Sequence, residues 1–267
     1  MQNLAGKRIL LTGAAGGIGS VIVRQLTELK AEVLMVDVSE TALQELADEV
    51  GQPFKQCDLG DAASRSELVN WVLSEFNGLD ALVQCAGLMA FGLHDTQSDE
   101  QIERLIRINL VAPMQLSRAL IPHLEKGVQP VIVNLGSVFG HIGFPGFSLY
   151  SASKFGLHGY TEALRRELAD GPIRVAWVSP RATQTALNAG VVEKLNTELK
   201  VNTDSPETVA AEVIKAISQA ARDKVLGFPE KLFARINQVF PSLVDGSLIK
   251  QLSVIRKYSE IQKETSS

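Results

Sequence analysis

The chain has 267 residues, 45% apolar and 21% charged, with a formal net charge of −4. That length and balance suit one large α/β domain or two small ones around a buried core, and exclude a disordered chain. A pI near 5.7 gives no electrostatic footing for nucleic acid. Two cysteines, Cys57 and Cys85, make no disulfide framework, as in a reducing cytosol. The first eight residues lack the apolar stretch and small-residue cleavage site of a secretory signal, and no run of about 18 apolar residues occurs. The expectation is a cytoplasmic protein without a transmembrane segment.

In chain order, short β-branched runs alternate with longer helical patterns. Strands are predicted over residues 8–12, 32–37, 53–57, 81–85, 130–135, 174–179 and 224–228. Helices are predicted over 17–30, 40–50, 62–76, 99–125, 150–170 and 206–221. Such alternation argues for a doubly wound parallel sheet with helices on both faces. The last of these helices opens on Asp204-Ser-Pro-Glu, with Asp204 the N-cap candidate and proline in the first turn. Residues 180–203 carry no clear strand or helix signal, yet follow a strand end where open α/β sheets place ligands. Residues 229–267 read as a pair of amphipathic helices interrupted at Pro241, an extension of the domain spanning 1–228. They suit packing on the domain or a second subunit, a lid over a lipid-like substrate, or, more weakly, a membrane surface.

The turn after the first strand reads Thr12-Gly-Ala-Ala-Gly-Gly-Ile-Gly19 and leads into the first helix. Glycine there permits a tight turn and a close approach of backbone N–H groups to a pyrophosphate, whose charge the helix N-terminus favours. Asp37 ends the next strand at the distance expected of a ribose contact. A carboxylate there repels a 2′-phosphate, and Ala15 and Val38 offer no arginine to bind one, so NAD is favoured over NADP.

The second constellation is Ser137, Tyr150 and Lys154. A phenol is a poor base at neutral pH. An ammonium one helical turn along the same face favours the phenolate and makes Tyr150 a usable acid/base, and Ser137 can hydrogen-bond the same substrate oxygen. The four histidines, His94, His123, His141 and His158, lack paired metal-ligand spacing, and the cysteines form no Cys-x-x-Cys pair, so no metal is expected. His141, in the aromatic and glycine-rich stretch between Ser137 and Tyr150, suits either loop structure or a substrate mouth.

With the glycine turn, this set resembles the short-chain dehydrogenase/reductase family over about residues 5–228. The resemblance implies one Rossmann-type domain, a nicotinamide cofactor and a small alcohol or carbonyl substrate. It implies Tyr150 as acid/base, Lys154 as the lysine that lowers its pKa and binds ribose, Ser137 as substrate-oxygen stabiliser and Asn109 as support of a proton relay. Its implied cofactor contacts are Gly13, Ala15, Gly17, Ile18, Gly19, Asp37, Asp58, Leu59, Ala86, Gly87, Tyr150, Lys154, Pro180 and Thr185. It also implies a homodimer or homotetramer built partly through the helix that begins at Tyr150 and the long helix before it.

Two departures from the family pattern matter. Gln84-Cys85-Ala86-Gly87 replaces Asn-Asn-Ala-Gly, which puts a structural hydrogen bond in question, and Pro180-Arg181 replaces Pro-Gly. The arginine is expected to set a guanidinium near the nicotinamide or substrate entrance, or to turn out to solvent. The leading expectation is an NAD-dependent oxidoreductase of an apolar alcohol or ketone. Its rivals are an NADPH-dependent 3-oxoacyl thioester reductase and a catalytically silent NAD-binding regulatory or scaffold protein.

Overall fold

The computed structural model describes residues 3–219 and 223–266. Its strands are β1 (Arg8–Thr12), β2 (Glu32–Asp37), β3 (Phe54–Gln56), β4 (Ala81–Gln84), β5 (Val131–Leu135), β6 (Arg174–Ser179) and β7 (Asp223–Val225). They pair in the order β3-β2-β1-β4-β5-β6-β7, every neighbour parallel. The order reverses between β1 and β4, so a crevice opens beyond their carboxyl ends.

Alternation along the strands builds the two layers. Ile9 and Leu11 of β1 face one core with α1 (Gly19–Glu28), α2 (Glu40–Val50) and α8 (Pro206–Ser218). Leu10 faces the other, against α3 (Ala62–Glu75), α5 (Ala112–Leu124) and α6 (Ser148–Glu167). On β5, Val131, Val133 and Leu135 likewise face the first layer and Ile132 the second. Strands buried on both faces are what a parallel sheet requires.

Several boundaries differ from expectation. The helix expected over 99–125 is α4 (Asp99–Ile106), a π-helical turn over Arg107–Val111, then α5. Buried Leu105, Ile108, Ala112 and Leu116 still recur three or four apart across the π turn, so periodicity does not register it. α8 is capped by Ser205, whose side chain accepts from the Thr208 N–H at 3.3 Å, and not by Asp204. Its expected end at Ala221 lies outside the described residues. The last strand ends at Val225 because Leu226–Pro229 turn into the tail.

Residues 180–203 hold a short 3₁₀ turn (Ala186–Asn188) and α7 (Val191–Glu198). The tail forms three helices where a pair was expected: α9 (Glu230–Val239), α10 (Pro241–Ile249) and α11 (Leu252–Ser266). α9 and α10 pack Ala234 and Val244 on Val138 and Ile142. α11 packs Ile255 and Tyr258 among Phe91, Phe147, Tyr150, Val192 and Leu195. It is tied to α7 by Lys257 and Tyr258, which donate to Glu198 at 2.8 and 2.7 Å.

Candidate active site

A cavity of about 660 Å³ runs across the carboxyl ends of the strands. Gly13, Gly17, Ile18 and Gly19 line it with Asp37, Asp58, Leu59, Ala86 and Gly87, as do Ser137, Tyr150, Lys154, Pro180 and Thr185; Thr185 stands against Gly17, and the Lys154 ammonium against Gly87. Two expected residues stand behind this wall. Ala15 does not line the cavity but donates its N–H to Asp37 at 3.1 Å, and Asn109 is fully buried.

The glycine turn is shaped for a diphosphate. Gly13 has φ +70°, and a Cβ there would lie 2.7 Å from the Ala86 backbone. A Cβ on Gly19 would lie 1.9 Å from the Gly13 carbonyl oxygen. α1 starts with no side-chain cap and no acidic residue in its first turn, so its amide dipoles are free for an anion. At the end of β2, Asp37 accepts N–H bonds from Ala15, Val38 and Ser39 at 3.1, 2.8 and 3.3 Å, which hold the carboxylate at the cavity wall. These residues fit a dinucleotide.

Ser137 and the Tyr150 phenol share the wall of this cavity, and Ser137 Oγ accepts from the Phe139 N–H at 3.1 Å. Burial pushes that phenol up to about 12, with the neighbouring Ser137 hydroxyl opposing. Lys154 lies 5.7 Å from the ring centroid and donates to the Leu135 carbonyl at 3.0 Å. Burial lowers it to about 8. Burial, rather than the neighbouring ammonium, dominates both groups and favours both neutral forms. Helical spacing puts the two residues on one face, but the lysine head reaches past the ring to β5.

The π turn aims Asn109 inward. Its Oδ1 accepts from the Leu88 N–H at 2.7 Å, and its Nδ2 donates to the Leu88 carbonyl at 2.8 Å and to Ser153 Oγ at 3.1 Å. Asn109 thus joins the π turn, the strand-end loop after β4 and α6, and braces the loop that carries Gly87. The hydrogen bond questioned at Gln84 is present in another form. Its longer side chain donates to Asn134 Oδ1 at 2.8 Å and Ser117 Oγ at 3.0 Å, linking β4, β5 and α5.

Arg181 lines the cavity, in line with the first of its two expected positions, but its guanidinium is ion-paired. Its Nη2 lies 2.8 Å from Asp204 Oδ1 and its Nη1 3.3 Å from Glu230 Oε2. It lines the cavity while fastening the first turn of α9 to the loop after β6. Asp204 Oδ1 takes the guanidinium, and the cap of α8 is Ser205. His141 is buried and stays off the cavity wall: its Nε2 accepts from Trp177 Nε1 at 3.2 Å and its carbonyl from Asn237 at 2.9 Å. Burial lowers it to about 4, so it is a neutral packing element.

One group of metal-ligand type was not visible in the sequence: ligand atoms of His158, Glu162 and Asp223 lie within 4.8 Å of one another. Arg165 already forks the Asp223 carboxylate.

The apolar wall extends beyond the loop of Phe139, Ile142, Phe144 and Phe147. α7 contributes Val192, Leu199 follows it, and α9 and α10 contribute Phe233, Val244 and Leu248. The spacing of Val192, Leu195 and Leu199 at i, i+3 and i+7 was a readable helix signal for α7.

The family model for short chain dehydrogenases matches residues 7–196. The ketoacyl reductase HetN of Nostoc is 30% identical, the match covering 92% of this chain and 89% of that protein. A short-chain dehydrogenase/reductase of Burkholderia phymatum, solved in complex with NAD, superposes with a TM-score of 0.82 at 21% identity, covering 91% of this chain and 96% of the other. A short-chain dehydrogenase of Burkholderia cenocepacia, solved in complex with NADP, gives 0.77 at 27%, covering 86% and 99%. The chain belongs to the short-chain dehydrogenase/reductase family. It is an oxidoreductase dependent on a nicotinamide cofactor. No helix among the described residues is long and apolar enough to cross a membrane.

Proposed function

We propose that the protein is an NAD-dependent dehydrogenase/reductase of apolar alcohols and ketones, working at the CH–OH group with Tyr150 as acid/base. The observation that carries this reading is that Ser137, Tyr150 and Lys154 line the same cavity as the glycine turn. Ser137 orients the substrate oxygen. Tyr150 gives a proton to that oxygen in reduction and takes one in oxidation. Lys154, held by the Leu135 carbonyl, keeps a cation beside the phenol, and Asn109 holds the Gly87 loop in place. The bound nicotinamide supplies or accepts the hydride.

The aromatic and aliphatic lining favours a substrate with a large hydrocarbon part. The chain is expected to reduce NAD with apolar secondary alcohols far faster than with short hydrophilic ones. Tight NADH binding with no turnover across such a panel would instead make it a silent cofactor-binding protein.

Likeness to a ketoacyl reductase favours a second reading, an NADPH-dependent reductase of 3-oxoacyl thioesters. Asp37 separates the two. Asp37→Ser is expected to shift the NADH-over-NADPH affinity ratio by roughly tenfold or more toward NADPH, because a carboxylate beside the ribose repels a 2′-phosphate. Fluorescence titration of both cofactors reads this directly, and an unchanged ratio would reject the Asp37 argument. The two unpaired cysteines support a cytoplasmic setting. Exposed Met114 on α5 and Phe155 on α6 support a homodimer or homotetramer through those helices.

A further inference from the structure

Fourteen large apolar side chains are exposed among the described residues, and seven of them fall between Phe228 and Ile249. The other seven are scattered from Leu29 to Leu187. Scattered ones need no explanation, whereas a concentration on one hairpin does. Exposure in the group runs from 43% at Phe233 to 75% at Phe228. Leu232 and Val239 stand i, i+7 on α9, Phe240 fills the break after it, and Leu243 follows on α10. The opposite side of the same hairpin already has a partner, since Ala234 and Val244 pack on Val138 and Ile142. The hairpin is apolar on both sides, and only one side is covered within the chain.

Charge identifies what covers the other. Lys231, Arg235 and Lys250 are exposed on the same segment. Of its two carboxylates, Glu230 is held by Arg181, which leaves Asp245. Apolar side chains rimmed by cations match an anionic lipid surface, where acyl chains take the former and headgroup phosphates the latter. A two-fold contact with a second copy would set the cationic rim against itself. The patch is also continuous with the cavity, because Phe233 is both exposed and part of the cavity lining.

We propose that the outer face of α9 and α10 seats the protein on an anionic membrane surface, with the apolar end of the cavity beside the bilayer. Nothing in this depends on the dehydrogenase reading, since seating needs no turnover.

The test is co-sedimentation of the full chain, loaded with NADH, with vesicles of phosphatidylcholine containing phosphatidylglycerol and with vesicles of phosphatidylcholine alone. Binding is expected to the anionic vesicles, weaker on the neutral ones and falling as salt rises. Replacing Leu232, Phe240 and Leu243 together with serine is expected to lower partitioning on the order of a hundredfold while NADH binding is kept, since none of the three lines the cavity. Charge reversal at Lys231, Arg235 and Lys250 is expected to lower it by roughly fivefold per position. The proposal is overturned if the parent chain stays in the supernatant, if it binds both vesicle types equally, or if the serine variant sediments like the parent. It is also overturned if light scattering shows an oligomer that the serine variant alone dissociates, for then a second copy covers the face.

Discussion

Replacing Tyr150 with phenylalanine is expected to lower turnover in both directions by about a thousandfold while leaving NADH affinity nearly unchanged. The substitution removes one oxygen from a ring that stays packed against Phe139, at 6.2 Å and edge-on, so the pocket keeps its form. What is lost is the proton exchanged with the substrate oxygen. The same oxygen sets the pH dependence. With the phenol pushed up to about 12, it is protonated through the neutral range and ready to serve as an acid. Reduction should therefore run flat up to about pH 8, then decline as Lys154 loses its charge, and fall further as the phenol ionises in strong alkali. Oxidation needs the phenolate and should climb with pH over the same span. Measuring kcat against pH in both directions checks this. Retention of most activity by the phenylalanine variant would remove Tyr150 from the reaction.

Much of the fold was legible because two periodicities do not overlap. Residues 8–12 and 130–135 are too short and too uniformly apolar for a surface helix, and the segments between them repeat at helical spacing. The glycine turn was legible because Gly13 and Gly19 have no room for a Cβ, a constraint that leaves its trace in composition. Asn109 was legible as a residue while its setting was not. The π turn that points it at Leu88 leaves the apolar stripe of α4 and α5 intact, so periodicity carries no mark of it.

The ion pairs of Arg181 were illegible for a different reason. Its two carboxylates, Asp204 and Glu230, lie 23 and 49 residues further along the chain, and no local pattern predicts that meeting. The same holds for the apolar end of the cavity. Phe233, Val244 and Leu248 were visible as amphipathic residues, and which surface they cover is a tertiary fact.

Lys154→Met is expected to abolish efficient turnover and, at neutral pH, to make the protein more stable. Lys154 is only 5% exposed, and burial lowers it from 10.5 to about 8. Below pH 8 the folded and unfolded chains both carry the proton, so folding bears the whole cost of burying the charge. Between about 8 and 10.5 the unfolded chain still binds the proton that the folded one has released, and stability rises with pH. Above 10.5 this contribution is constant. Tyr150 works in the opposite sense: raised from 10 to about 12, it holds its proton in the fold after the unfolded chain has lost it, and stability falls across that window.

Methionine removes the buried charge without removing much volume. At pH 7 that relieves about 3 kcal/mol, less about 1 kcal/mol for the lost bond to the Leu135 carbonyl. Urea unfolding at pH 7 should therefore show the variant ahead by about 2 kcal/mol, with the gap closing as the pH approaches 10. A variant less stable than the parent at pH 7, or an advantage that does not shrink with pH, would mean that Lys154 is not strained by burial. A gain in stability bought with turnover is what a charged group kept in a dry pocket for chemistry should give.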